Sequence, residues 1–381
     1  MSRPIQMALI GQEFMGRAHS NAMRQVGPFC DAPRTPVLRM VAARDAAKLE
    51  GFAARFGWER TTTDWRDIVA DPEVEVVDVA TPNFLHRDPA VAALEAGKHV
   101  LCEKPLAGTL DDARAMRDAA AAASGQAYVW HNYRRCPAVA TAWKLIQEGR
   151  LGRIFHVRAT YLQDWGGPDT PMSWRFDKEQ AGSGSHGDLN AHLIDLARFL
   201  TGDEIVEIHG ATSRRWIEER VDAGTGEKRA TSVDDALLFT AGFASGAVAS
   251  FEASRLAYPH QNANTIEING EKGSVRFDFE DMNLLHFADA SDGPRDGGWR
   301  RIMCTHAGSH PYAEHWWPDA HLIGYEHTFT NLLLDALRAI DGGEPAVPLT
   351  TFADAWETQR VLEASLRAVE ERRAVSLAEV E

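Results

Sequence analysis

Residues 5–16 read Ile-Gln-Met-Ala-Leu-Ile-Gly-Gln-Glu-Phe-Met-Gly, a short apolar strand that leads directly into a turn with two glycines. A helical stretch begins at Phe14. A strand, a glycine turn and a helix in this order can bring backbone N–H groups close to a pyrophosphate. The candidate dinucleotide contacts are Gly11, Gln12, Phe14, Met15 and Gly16. Glu13 stands where a second glycine is usual, and the two glycines could instead simply end the strand and cap the helix.

Strand signals alternate with helix signals through the first 130 residues. Short, largely apolar strands are expected at 37–43, 74–80, 99–102 and 127–130, with helices between them. This alternation predicts a parallel sheet covered by helices, with the carboxyl ends of the strands at one edge. Ligands of open sheets of this kind bind at that edge.

The order of predicted strands and helices changes after residue 130. Strand-like runs now follow one another directly, for example 236–243 and 246–253, and turn signals such as Gly224-Thr225-Gly226 lie between several of them. Successive strands joined by tight turns indicate a largely antiparallel sheet. The sequence therefore predicts an α/β protein of two domains, a dinucleotide-binding domain over 1–130 and an α+β substrate domain over 131–381.

The composition excludes several classes of protein. The chain has 381 residues, with 55 acidic against 40 basic side chains and a formal net charge of −15. Phosphate backbones require clustered Lys and Arg, so no nucleic-acid partner is expected. The first apolar stretch, 7–10, is too short for a secretion signal or a membrane span, so no membrane partner is expected. The 4 cysteines are widely spaced without a Cys-x-x-Cys pair, which favours a reduced, cytoplasmic environment.

The residues after the second strand bear on the choice of cofactor. An acid at this point hydrogen-bonds the ribose of NAD, whereas a nearby Arg accommodates the 2′-phosphate of NADP. The sequence here is Ala43-Arg44-Asp45, with Ala43 at the usual position of the acid. Arg44 is thus a candidate cofactor contact, but a shift of one residue would place Asp45 there instead. Both NAD and NADP stay open.

A lysine follows the fourth strand, in Glu103-Lys104-Pro105. At the carboxyl edge of the sheet, a Lys amine can hold a substrate hydroxyl and stabilise the charge that develops on its oxygen. The alternative is an exposed lysine before a turn proline, which is what an isolated tripeptide of this kind usually marks.

A glycine-rich loop over 181–187 leads into a helix that carries Asp188 and His192. The spacing of four residues puts both side chains on one side of the helix. A histidine held by a carboxylate is suited to take a hydroxyl proton near neutral pH. The alternative is a capped helix with a structural histidine; the flanking glycines favour a site, because they allow a ligand to approach closely.

Four motifs follow one another along the chain: Gly11…Gly16-x-x-His19, Ala80-Thr81-Pro82-Asn83-x-x-His86, Glu103-Lys104-Pro105 and Asp188-x-x-x-His192. In this order and at these separations they resemble the glucose–fructose oxidoreductase/inositol dehydrogenase (Gfo/Idh/MocA) family, over nearly the whole chain. The resemblance implies an N-terminal Rossmann domain and a C-terminal domain with an open, mostly antiparallel sheet. It also implies NAD or NADP as cofactor, and a homodimer or homotetramer that assembles through the open sheet.

The resemblance further implies hydride transfer from a secondary carbinol carbon of a sugar or polyol to nicotinamide. In this mechanism His192 removes the hydroxyl proton, Lys104 holds the oxygen, and Asp188 orients the sugar or the imidazole. The additional cofactor contacts at matching positions are Thr81, Pro82, Asn83, His86, Glu103, Lys104 and Arg175. Glu13 and Ala43 depart from the family pattern, and both departures concern the cofactor rather than the fold.

Several later stretches resemble the levoglucosan dehydrogenase branch of the family, among them 132–137, 161–165, 173–176 and 310–312. That branch resembles NAD-dependent pyranoside 3-dehydrogenases, so a pyranose oxidised at C3 is the expected substrate, with a cyclitol as the other class. Planar aromatic rings cover apolar sugar faces, while amide and guanidinium groups bind vicinal hydroxyls. The implied substrate contacts are Lys104, Tyr133, Arg135, Gln163, Asp164, Trp165, Arg175, Asp188, His192, His310 and Tyr325.

A histidine-rich segment over 306–327 invites the alternative of a metal site. Pro311 and Pro318 interrupt any helix on which two of these histidines would share a face. We therefore expect a loop over the substrate cleft, no metal, and His310 as the histidine that reaches the sugar.

Two other functions compete with a dehydrogenase. Some relatives bind a dinucleotide and act as regulators, although the presence of both Lys104 and His192 argues for catalysis. The other is a redox-assisted lyase or glycosidase, in which transient oxidation at C3 permits elimination and a tightly held NAD is regenerated. Net reduction of the cofactor distinguishes a dehydrogenase from both.

Overall fold

The computed structural model describes residues 3–381. Contacts between residues divide the chain into two compact units, each built from two segments. The first comprises the residues up to Arg135 together with Pro311–Trp356, and the second comprises Cys136–His310 together with Glu357–Glu381. Across 3–381, none of the helices has the length and apolar character needed to cross a membrane.

The helices and strands alternate in the first third of the chain and then give way to runs of strands. The first group is β1 (Arg3–Ile10), α1 (Phe14–Phe29), β2 (Arg34–Ala42), α2 (Ala46–Phe56), β3 (Arg60–Thr62), α3 (Arg66–Ala70), β4 (Val76–Val79), α4 (Arg87–Glu95), β5 (His99–Cys102), α5 (Leu110–Ala122) and β6 (Ala127–Val129). The remainder is α6 (Pro137–Gln147), β7 (Ile154–Leu162), α7 (Lys178–Ala181), α8 (Ala191–Thr201), β8 (Ile205–Arg214), β9 (Glu219–Val221), β10 (Lys228–Ala230), β11 (Ala236–Phe243), β12 (Val248–Ser254), β13 (Ala263–Gly270), β14 (Gly273–Asp278), β15 (Leu284–Asp289), β16 (Arg300–Met303), α9 (Tyr325–Ile340), β17 (Thr350–Thr351), α10 (Phe352–Glu371) and β18 (Val375–Ser376).

The sheet of the first unit has seven strands among the described residues, in the order β17-β6-β5-β4-β1-β2-β3. All neighbours are parallel except β17, which pairs antiparallel with β6. Strand β4 is buried along its whole length, as expected for a strand of a parallel sheet covered on both faces. Strands β1, β4 and β5 lead into Gly11, Ala80 and Glu103, so three of the predicted motifs lie at one edge. The predicted parallel sheet is confirmed.

The sequence misses two strands of this sheet and the chain segment that supplies one of them. Strands β3 and β17 are only 3 and 2 residues long, too short to show a periodic pattern. The sequence also places everything after residue 130 in the second domain, whereas the structure assigns 311–356 to the first unit. The physical reason is that this segment carries β17, which pairs with β6, and Phe352, which is buried in the same core as β6.

The second unit contains a nine-stranded sheet within its described residues, in the order β16-β15-β14-β13-β7-β12-β11-β8-β18. Its neighbours are antiparallel except β7 and β12, which are parallel, and β9 pairs with β10 in a separate ribbon. The predicted mostly antiparallel sheet is confirmed.

One face of this sheet is covered and the other is open in the single chain. Helices α6 and α8 pack on strands β7, β13, β14 and β15. Burial alternates along β11 and β12, so that Leu237 and Phe251 are buried while Leu238 and Val248 are exposed. An alternation with period two places the exposed residues on the face away from the helices.

Candidate active site

The turn after β1 requires glycine at two positions. Gly11 has a φ of +126°, and a Cβ there would lie 2.4 Å from the carbonyl oxygen of Ala80. A Cβ on Gly16 would lie 2.4 Å from the carbonyl oxygen of Gly11. The turn therefore packs so closely on itself and on the end of β4 that no larger residue fits.

The beginning of α1 fits the expected dinucleotide. Glu13 is the N-cap residue, but its side chain is exposed and makes no hydrogen bond to the helix N–H groups. Gln12 Oε1 and Thr81 Oγ1 are buried without a hydrogen-bond partner within residues 3–381. Buried polar atoms of this kind indicate that a ligand or water completes the site.

The end of β2 leaves the choice between NAD and NADP open. The Asp45 side chain accepts a hydrogen bond from the backbone N–H of Lys48 at 3.2 Å and so caps α2. Arg44 is exposed. Asp45, which lies one residue after the usual position of the acid, therefore already caps a helix, while Arg44 lies at the surface.

A buried histidine joins two carboxylates behind the edge of the first sheet. His19 lies 2.9 Å from Asp78 through Nδ1 and 3.0 Å from Glu103 through Nε2. The Trp130 ring stacks on His19 at a centroid distance of 4.1 Å, and its Nε1–H donates to Asp78 at 2.9 Å. Burial disfavours a charged imidazole, but attraction and hydrogen bonds from the two carboxylates outweigh it and raise the pKa of His19 from 6.5 to about 9.

This cluster connects directly to the predicted catalytic lysine. The other Glu103 oxygen accepts a hydrogen bond from the backbone N–H of Lys104 at 3.1 Å. Glu103 is 4% exposed, whereas Lys104 is only half-buried. Glu103 therefore fixes the backbone of Lys104 through this hydrogen bond. The arrangement gives no support to the prediction that Glu103 contacts the cofactor.

His86 is also occupied by protein groups. Its Nδ1 lies 3.2 Å from the Leu106 carbonyl oxygen and its Nε2 lies 2.9 Å from that of Thr81. Burial lowers the pKa of His86. The ring joins the turn after β4 to the turn after β5, so it holds Thr81, Pro82 and Asn83 in place rather than facing a ligand itself.

Three aromatic rings from distant parts of the first unit meet. Tyr325 stacks with Phe14 at 6.4 Å between centroids and lies 6.3 Å from the ring of Tyr133. Phe14 is 61% exposed, so this group extends from the core to the surface beside the glycine turn. Met15, the remaining predicted contact of that turn, is half-buried.

Arg135 lies in the core of the first unit rather than at its surface. Its guanidinium is fully buried and forms an ion pair with Asp335 at 3.0 Å. It also donates to the carbonyl oxygen of Val347 at 2.7 Å, and Tyr312 donates its hydroxyl proton to the same Asp335. The expectation that Arg135 contacts the sugar is therefore not supported, because protein groups surround it.

In the second unit, polar side chains gather where β7 ends. Gln163 donates its amide N–H to Asn262 at 2.7 Å and accepts a hydrogen bond from Trp165 Nε1 at 2.6 Å. The Tyr161 hydroxyl donates to the same Asn262 oxygen at 2.7 Å. Asp164 lies between them and is half-buried. Gln163 and Trp165 thus lie together, and their contact with a sugar stays a prediction.

The glycine-rich loop before Asp188 is held by a carboxylate that sequence analysis missed. Asp234 accepts hydrogen bonds from the backbone N–H of Gly184 at 2.7 Å, the Ser185 hydroxyl at 2.6 Å and the backbone N–H of His186 at 2.9 Å. A Cβ on Gly184 would lie 1.9 Å from the Asp234 carbonyl oxygen. The loop glycine therefore serves close packing against Asp234.

His192 lies in the first turn of α8, directly after a π-helical turn over His186–Asn190. The residue is 6% exposed, and its ring centroid lies 5.9 Å from that of Tyr161. His186, in contrast, is fully buried between the Leu362 carbonyl oxygen and the Asn190 amide, which marks it as structural. His192 is thus slightly more exposed than His186, and its contact with a ligand stays a prediction.

Asp188 is paired with an arginine that no motif indicates. Arg255, directly after β12, donates to Asp188 Oδ2 at 2.7 Å. Arg175, another predicted contact, lies on the surface with its guanidinium 4.5 Å from the Trp174 ring centroid. Sequence reasoning had no signal for Arg255, because a charged residue at a strand end usually marks only a turn.

The geometry of the histidine-rich segment bears on the metal alternative. Within residues 3–381, no group of three or more His, Cys, Asp or Glu side chains is arranged to hold a metal ion. His310 is buried in a turn in which its backbone N–H donates to the His306 carbonyl oxygen at 3.2 Å.

Comparison with known proteins places these features in a family. One family model, described as an oxidoreductase family with an NAD-binding Rossmann fold, matches residues 5–131, and a GFO/IDH/MocA C-terminal domain matches 139–276. The chain is 43% identical over 368 residues to levoglucosan dehydrogenase of Pseudarthrobacter phenanthrenivorans, covering 93% of both proteins.

Solved structures agree with this assignment. An oxidoreductase domain protein from Kribbella flavida matches with a TM-score of 0.94 and 46% identity, covering 99% of this chain and 100% of that one. Levoglucosan dehydrogenase in complex with NADH and levoglucosan matches with a TM-score of 0.93 and 41% identity, covering 98% and 99%. With both domain models matched and the similarity extending over nearly the whole length, the chain belongs to the Gfo/Idh/MocA family of NAD-binding oxidoreductases.

Proposed function

We propose that the chain is an NAD(P)-dependent dehydrogenase that oxidises a secondary hydroxyl of a pyranose-type sugar, at C3, with levoglucosan as the first candidate. The observation that carries the proposal is the 43% identity to levoglucosan dehydrogenase over 93% of both proteins. A cyclitol is the second substrate class. The presence of Lys104, Asp188 and His192 at the family positions favours a catalyst over a regulator.

Bound NAD(P)+ supplies the hydride acceptor, and the side chains of this chain manage the proton and the charge. His192 removes the proton of the reacting hydroxyl, while the Lys104 ammonium holds the same oxygen and stabilises its developing negative charge. Asp188 accepts a hydrogen bond from a sugar hydroxyl and so orients the ring. The support for these roles is the Asp188–Arg255 pair, which fixes the carboxylate, and Glu103, which fixes the lysine backbone.

The residues proposed to hold the dinucleotide are those that meet at the beginning of α1. Gly11 and Gly16 make the tight turn, Gln12 and Thr81 offer buried polar atoms, and Phe14 offers an exposed ring. The remaining proposed contacts are Met15, Arg44, Pro82 and Asn83. The residues proposed to contact the sugar, besides the catalytic three, are Tyr133, Gln163, Asp164, Trp165, Arg175, His310 and Tyr325.

The test is to incubate the purified chain with NAD and with NADP, each against levoglucosan, free pyranoses, glycosides and inositols, and to follow the absorbance of reduced nicotinamide. We expect net reduction with levoglucosan or a related pyranose. Loss of sugar without net reduction would instead support the redox-assisted lyase. Cofactor binding without conversion of any substrate would support the regulator.

We further propose that the chain assembles as a homodimer or homotetramer through the open face of the second sheet, in the cytoplasm. The support is the exposed apolar pair Leu238 and Val248 on that face, and four cysteines that are all free and buried among the described residues. Light scattering should give a mass of at least twice 42.1 kDa. The variant Leu238→Arg should shift the mass towards the monomer; a monomeric parent protein would contradict the proposal.

A further inference from the structure

We propose that Arg255 is the positioning residue of the sugar site, because it holds Asp188, Arg175 and Trp165 in a single arrangement. The inference rests on the proposed function, which assigns those three residues to the substrate. They come from three separate segments of the second unit, and Arg255 contacts all three.

The side chain of Arg255 joins two of the segments by hydrogen bonds. Its Nη2 donates to Asp188 Oδ2 at 2.7 Å, and its Nη1 donates to the backbone carbonyl oxygen of Arg175 at 3.3 Å. A guanidinium carries five donors in a rigid plane, so one group can fix two partners at a set angle. A lysine ammonium could replace the positive charge, but it could not direct hydrogen bonds to both Asp188 and the Arg175 carbonyl oxygen at the same angle.

The third segment is held by the side chain and the backbone together. The guanidinium carbon of Arg255 lies 5.0 Å from the ring centroid of Trp165. The carbonyl oxygen of Arg255 accepts a hydrogen bond from Gly166 N–H at 3.0 Å, and a Cβ on Gly166 would lie 2.8 Å from that of Arg255. The segment that carries Trp165 is therefore packed directly on Arg255, at a distance that only glycine allows.

The ion pair is asymmetric in exposure. The Arg255 side chain is 3% exposed, whereas that of Asp188 is 27% exposed. The arginine thus lies inside and the carboxylate lies where a ligand can reach it. An ionised carboxylate only accepts hydrogen bonds, so the hydrogen bond from Arg255 directs Asp188 as an acceptor for a sugar hydroxyl.

The test compares Arg255→Met with Arg255→Lys, alone and combined with Asp188→Asn. In R255M we expect kcat/KM for the sugar to fall by about 10- to 100-fold, the cost of losing a charged hydrogen-bond partner, with an unchanged Kd for the reduced cofactor. R255K should recover part of the loss. Because Arg255 acts through Asp188, adding R255M to D188N should cost much less than R255M costs alone.

Arg220 provides the matched control. It is equally buried, lies 3.8 Å from the Phe176 ring centroid, and donates to the carbonyl oxygens of Gly166, Gly167 and Thr170. Because these hydrogen bonds go to backbone carbonyl oxygens of 166–170, we expect the effect of Arg220→Met to add to that of D188N. Full additivity of R255M with D188N would overturn the inference.

A crystal structure of R255M separates this inference from the proposed function. In R255M we expect both the Asp188 carboxylate and the Arg175 backbone to move from their present positions. In R255K the Asp188 carboxylate should stay, while the Arg175 backbone moves. Unchanged positions in R255M would overturn the positioning role, whether or not any sugar is oxidised. Displaced positions in a protein that oxidises no sugar would leave the positioning role standing and refute the proposed function.

Discussion

Replacing His192 with asparagine should lower the rate of sugar oxidation by about 100- to 10,000-fold, the usual contribution of a positioned general base. His192 lies in the first turn of α8 with its ring nearly buried beside Tyr161, so no bulk water can take over its role easily. The affinity for reduced cofactor should not change, because the proposed cofactor contacts lie elsewhere. Steady-state turnover and a fluorescence titration with reduced cofactor measure the two effects.

The control for this result is His260→Asn, which changes an exposed histidine of the same unit and should leave turnover unchanged. A further readout is chemical rescue: free imidazole should restore part of the activity of His192→Ala by acting as an external base. Turnover of the asparagine variant within a few-fold of the parent would remove His192 from the mechanism.

The free energy of unfolding should fall by roughly 3 kcal/mol as the pH rises from 6.5 to 9, because of His19. Below pH 6.5 the imidazole is charged in both the folded and the unfolded chain, and its full stabilisation is present. Between pH 6.5 and about 9 the folded chain keeps a proton that the unfolded chain has lost. Unfolding is then favoured by rising pH, and above about pH 9 the contribution is gone.

Denaturant unfolding at several pH values measures this slope, and His19→Gln should flatten it because an amide does not titrate. The exposed His260→Gln should keep the slope of the parent. Burial lowers the pKa of His86 and of His186 from 6.5, so neither histidine contributes to the slope between pH 6.5 and 9. NMR of histidine-labelled parent protein gives a direct check: a neutral His19 at pH 8 would contradict the prediction.

Much of the fold follows from local patterns. The glycine turn after β1 was predictable because Gly11 and Gly16 are required by contacts within a few residues of chain and with the next strand. The parallel half was predictable because short apolar strands alternate with helices along the chain, and the antiparallel half because strand-like runs follow one another across tight turns. The assignment of 311–356 to the first unit was not, because it depends on the pairing of β17, a strand of 2 residues, with β6.

The motifs of the candidate site were predictable, but the residues that hold those motifs in place were not. Lys104, Asp188 and His192 stand out because they follow strands and glycine-rich loops. His19, Asp234 and Arg255 act through tertiary contacts with those segments, and a single sequence does not show such partners. The sequence also could not tell that Arg135 faces inward, because an Asn-Tyr-Arg-Arg turn gives no periodicity that separates a buried arginine from an exposed one.

The late origin of β17 has a consequence for synthesis on the ribosome. When the first 135 residues have emerged, the edge of β6 that faces away from β5 still lacks its partner, since Thr350 and Thr351 are translated more than two hundred residues later. The nascent chain must therefore carry an unprotected strand edge while the whole intervening segment is made, and such edges are prone to pair with other chains. The N-terminal sheet, although its first strand is synthesised first, is therefore completed only near the end of synthesis.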